Sequence, residues 1–111
     1  MRIVTGLLAW SFVVGLSASV FAQDPKVQQG MKVFADQKCS MCHSIEGKGN
    51  KKFPLDGVGK KLSAADIKEW IVDPRAAEKK HGSTAKPPMK AYANLPAADL
   101  EALVAYLTSL K

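Results

Sequence analysis

Cys39-Ser40-Met41-Cys42-His43 crowds both cysteines of the chain, and one of its two histidines, into five residues. Any fold must give these groups a shared task, because no other cysteine exists to pair with either thiol. A disulfide between Cys39 and Cys42 would close a very small loop, and the entropic stabilisation from a cross-link grows with loop length. A thioredoxin-like redox pair needs a strand-then-helix setting, which the flanking residues do not supply. A zinc site needs four ligands, yet His43 adjoins Cys42 and His81 is the only other histidine.

The spacing suits a fourth chemistry, attachment of a c-type haem. Positions three apart lie on one side of a helical turn, so each thiol can add across one of the haem's two vinyl groups. His43, the next residue, then presents its imidazole to the iron. Thioether formation consumes both thiols and leaves no need for others.

The rest of the chain calls for such a body. Three segments carry helical periodicity. The first opens on Asp24-Pro25, a cap and a first-turn proline, and places Val27, Gly30, Met31 and Phe34 at i, i+3, i+4 and i+7. The second is Leu62 to Pro74. There Ser63 caps, Asp66 takes the capping-box position, Leu62 staples onto Ile67, and Pro74 stops the helix by restricting Asp73. Its face is Ile67, Trp70 and Ile71. The third runs from Pro96 to about Ser109, with Leu100, Leu103, Val104, Leu107 and Leu110 as its stripe. All three stripes are expected to be core, Met31 included. Two long polar stretches, 46–61 and 74–95, separate the helices and show no period-two alternation. Loops of that length in a small domain need an organiser, and a large apolar group for the helices to wrap around supplies one.

Residues 1–22 resemble a cleaved signal peptide: Met1-Arg2, an uncharged apolar run from Ile3 to Leu16, then small residues with Val20 and Ala22 placed for cleavage after Ala22. Its alternative is an uncleaved membrane anchor, since Ile3 to Ala22 carries no charge. Residues 23–111 then form one domain, small enough that burial alone stabilises it marginally. The formal charge of +6 falls to +5 without Arg2 and comes almost wholly from lysine, with Arg75 the single arginine after residue 22. That balance argues against nucleic-acid recognition and for a solvated surface that steers partners.

Over nearly all of 23–111 the chain resembles the small monohaem class I c-type cytochromes. The likeness rests on "CSMCH", "LSAADIKEWIVDP", "KPPMKAYANL" and "DLEALVAYLTSLK". It implies an all-α fold, three or more helices around one covalent haem c, in which the first and last helices cross with Gly30 against Tyr106 and Phe34 nearby. It implies that Pro54 supplies the carbonyl that orients His43, although Phe53 stands where many relatives have glycine. Trp70 would donate to a haem propionate, as a tryptophan does in some relatives, or pack in the core.

For the sixth iron ligand the candidates are Met31, Met41, Met89 and His81. Met41 lies inside the attachment turn, Met31 on a core stripe, and His81 in a solvated loop. Met89 stands on a segment stiffened by Pro87 and Pro88 and matches the family's methionine loop. With Tyr92 packed nearby, Met89 is the expected ligand. Thioether sulfur favours ferrous iron, and a filled sixth position leaves no place for substrate. The resemblance thus implies a monomeric, periplasmic single-electron carrier between membrane or periplasmic redox proteins. Its alternative is a peroxidase-like enzyme with a labile sixth ligand.

Overall fold

The computed structural model describes residues 24–111; the expected signal peptide lies outside them. Helix α1, Pro25–Asp36, starts as anticipated: the Asp24 carboxylate accepts from the Lys26 N–H at 2.9 Å, and Pro25 fills the first turn. It buries Gly30 and Val33. Met31 is not core, being 42 % exposed. The buried face is centred on Gly30, Val33 and the half-buried Phe34, and Met31 follows Gly30 by one residue, about 100° around the helix.

Lys38, with φ +56°, turns the chain into a single 3-10 turn, Cys39–Met41. Three short strands follow, β1 (His43–Ile45), β2 (Lys48–Gly49) and β3 (Phe53–Pro54), in the order β2-β1-β3. The β1–β2 hairpin turns on Glu46 and Gly47, both at positive φ, as a tight two-residue loop requires. Strand β3 pairs parallel to β1, setting His43 beside Phe53 and Ser44 beside Pro54. The expectation of a purely helical chain is corrected here. Strands of two or three residues are too short to show alternation in sequence.

Helix α2, Val58–Lys61, is one turn long. Helix α3, Ala64–Val72, is capped by Ser63, whose Oγ accepts from the Asp66 N–H, and it buries Ile67 and Ile71. Pro74 ends α3 and also begins α4, Pro74–His81, which Asp73 caps through the Ala76 N–H. Its last turn carries Lys79, Lys80 and His81, a favourable end for cations. Residues 83–96 then run without helix or strand to α5, Ala97–Thr108.

Helix α1 packs on α5 where neither has bulk. A β-carbon at Gly30 would overlap the Ala102 carbonyl and lie 2.6 Å from Tyr106 Cβ. Phe34 meets the Tyr106 ring edge-on, centroids 5.8 Å apart. The core is Val33, Ile67, Ile71, Leu103 and Leu107. Among the described residues no helix is long and apolar enough to cross a membrane.

Candidate functional site

The core is built around a gap. Ile67, Ile71, Leu103 and Leu107 line a cleft that Phe34, Leu55, Val58, Leu62 and Trp70 complete. Counted out through its open mouth into solvent, its empty space is about 700 Å³. A void between aliphatic side chains forfeits packing contacts that a small domain needs. The shape therefore fits an apolar occupant.

Cys39, His43 and Met89 reach this cleft from opposite parts of the sequence. A smaller hollow shares these three and adds Cys42, Phe53, Pro87, Pro88 and Lys90. The 3-10 turn and β1 thus bring the thiols and the imidazole to one mouth. Asn50 helps hold the turn: its side-chain amide donates to the Met41 carbonyl and its backbone N–H to the Ser40 carbonyl, each at 3.0 Å. Gly49 closes it, because a β-carbon there would overlap the His43 carbonyl and lie 3.1 Å from the Ser40 carbonyl oxygen.

His43 Nδ1 lies 3.0 Å from the Phe53 carbonyl oxygen. A carbonyl only accepts, so Nδ1 carries the proton and Nε2 keeps its lone pair. Burial lowers the His43 pKa, the Phe53 contact opposing it, and the neutral ring is the form that binds metal. This corrects the expected partner. The carbonyl belongs to Phe53 rather than Pro54, because the parallel register sets Phe53 beside His43. Pro54 is exposed and lies outside the cleft lining.

Cys39 is half-buried and Cys42 exposed. Burial pushes the Cys39 thiol up to about 11. A thiol held that high is a poor thiolate nucleophile, unlike the attacking cysteine of a redox pair. Among the described residues no three His, Cys, Asp or Glu side chains converge as a metal-binding group.

Of the four candidates for a sixth ligand, only Met89 lines the cleft. Met41 is 68 % exposed and Met31 lies on the outer side of α1. His81 stacks on Trp70, centroids 5.9 Å apart and planes 22° off parallel, and its Nε2 stands 3.8 Å from the Asp66 carboxylate. The same carboxylate takes Lys80, whose hydrogen bond is the main cause of a lowered Asp66 pKa. Trp70 itself lines the cleft, as does Tyr92. Sequence reasoning missed Phe53 and Arg75; Arg75 Nη2 donates to the Met89 carbonyl at 3.0 Å. The one signal for Arg75 was its standing alone among lysines.

The family model for cytochrome c matches residues 27–111. The chain is also 34 % identical over 115 residues to cytochrome c oxidase subunit 2 of Alkalihalophilus pseudofirmus. That match takes in 93 % of this chain and 31 % of the relative, so the chain spans about a third of the relative's length. No solved structure matches. The motif at Cys39–His43, the apolar cleft behind it and the match over 27–111 agree, and the chain belongs to the cytochrome c family, whose domains bind haem c covalently and transfer electrons.

Proposed function

We propose that the chain is an exported single-electron carrier holding one haem c, with Cys39 and Cys42 as thioether anchors and His43 and Met89 as axial ligands. The observation that carries this is the sharing of one apolar cleft by His43 and Met89, with His43 Nδ1 already committed to Phe53. The haem supplies the one-electron iron couple. The chain's own part is to exclude water with Ile67, Ile71, Leu103 and Leu107, and to offer one nitrogen and one sulfur. Trp70 lines the cleft, and its indole N–H would donate to a haem propionate. The Gly30 contact with Ala102 and Tyr106 supports the family's arrangement of crossing terminal helices around the haem. Likeness to an oxidase subunit favours a terminal oxidase as electron acceptor.

Absorption spectra of the purified holoprotein test the ligation. Ferric protein should show the sulfur-to-iron band, and Met89→Ala should remove it and lower the reduction potential while the haem stays covalently bound. His81→Ala, made in parallel, should change neither. A band that survives Met89→Ala would make another methionine the ligand, and a resting ferric spectrum with an open sixth position returns the peroxidase-like alternative.

A further inference from the structure

The proposed sulfur ligand stands on a segment with little structure of its own. Pro87 and Pro88 precede Met89 and have no N–H to donate. Among the described residues, hydrogen bonds tie 86–95 to the rest of the chain at two places only. The Tyr92 N–H donates to the Ile71 carbonyl at 2.8 Å, and the Tyr92 hydroxyl reaches the Gln37 carbonyl at 3.4 Å. The second place is Met89 itself, whose carbonyl accepts from Arg75.

Arg75 is well placed for this. It follows Pro74, a fully buried residue, in the first turn of α4. Its Nη1 takes both carboxylate oxygens of Glu78, at 2.9 and 3.2 Å, and that contact orients the plane so that Nη2 points to Met89. A rigid fork can serve two acceptors at once, which a lysine's single ammonium does less well. The ion pair alone, with Arg75 57 % exposed, would contribute little to stability. Its geometric effect is larger, because it fixes the backbone of the residue whose side chain enters the cleft.

We propose that Arg75, oriented by Glu78, is a positioning residue for Met89: it clamps the Met89 backbone to α4 and so sets how firmly the thioether holds the iron. This rests on Met89 ligation as proposed above.

The test is imidazole titration of the ferric holoprotein, followed by loss of the sulfur-to-iron band. Arg75→Ala should bind imidazole about 3- to 10-fold more tightly than the parent, the range expected for losing a partly exposed charge-assisted hydrogen bond. Glu78→Gln should shift affinity the same way, about 2-fold, because the fork loses its orienting charge. Parental imidazole affinity in both variants overturns the proposal, even if thermal stability drops, since a merely structural clamp would lower melting without favouring an incoming ligand. Met89→Ala keeps the two ideas apart. If it abolishes the band while Arg75→Ala leaves affinity unchanged, ligation stands and the clamp falls; if the band survives it, the ligation proposal falls first.

Discussion

His43 and Met89 reach the same cleft from two kinds of structure. His43 sits at the start of β1, between a 3-10 turn and a parallel strand, with its ring bonded to Phe53. Met89 sits on a stretch without helix or strand, held through Arg75 and, three residues on, through Tyr92. One wall is closed by neighbouring backbone; the other is a span pinned at two points. The cysteines belong to the closed wall, where the proposed attachment would form two covalent bonds in register. Under the proposed ligation the pinned wall would have only to present a sulfur atom, so it can be sparse.

The difference can be broken first at the thiols. Replacing both Cys39 and Cys42 by alanine should abolish covalent haem on a denaturing gel and leave the core gap unfilled, with loss of cooperative unfolding. Full helicity and a sharp transition without haem would show that the gap needs no occupant. A smaller effect compares the walls directly through two glycines. Gly49→Ala, where the new β-carbon meets the His43 and Ser40 carbonyls at φ +100°, should cost about 3 kcal/mol in denaturant unfolding of the holoprotein. Gly82→Ala, at φ +63° ahead of the Met89 segment with open space around it, should cost about 1 kcal/mol. Equal costs would contradict the closed-versus-pinned distinction. The smallest effect is kinetic. Lys48, Lys51, Lys52, Lys86 and Lys90 are exposed, and Lys90 lines the hollow at the mouth, so electron exchange with an acidic partner should slow as salt screens them beyond ~10 Å at ~0.1 M. A rate indifferent to ionic strength would leave these lysines as solubilising charge.

Much of the closed wall's chemistry was legible in sequence, and much of its geometry was not. Cys39, Cys42 and His43 announce themselves by spacing, and α1, α3 and α5 by their caps and stripes. The Phe53 carbonyl has no letter of its own; it is a backbone atom placed by a parallel pairing ten residues along the chain. Helix α4 went unread because Pro74 reads first as a stop for α3, and because Ala76 and Ala77 make too small an apolar face to register. Met31 misled because a four-residue interval from Val27 looked like a stripe while Val33 held the true centre of the face. The Met89 wall was legible in its ligand candidate alone, since a clamp between residues 75 and 89 is a contact no local pattern predicts.

The close approach of α1 to α5 at Gly30 has a bearing on how the chain reaches its fold. Gly30 and Ala102 are 72 positions apart (102 − 30), so their meeting is a long-range contact. Contacts of such separation slow folding, because the chain between them must be ordered before the contact repays that entropy. A haem fixed at Cys39 and Cys42, as proposed, would break the search into shorter ones. Ile67, Ile71, Leu103 and Leu107 would each close on it over fewer residues than the whole. The prosthetic group would then act as a template for the chain that encloses it.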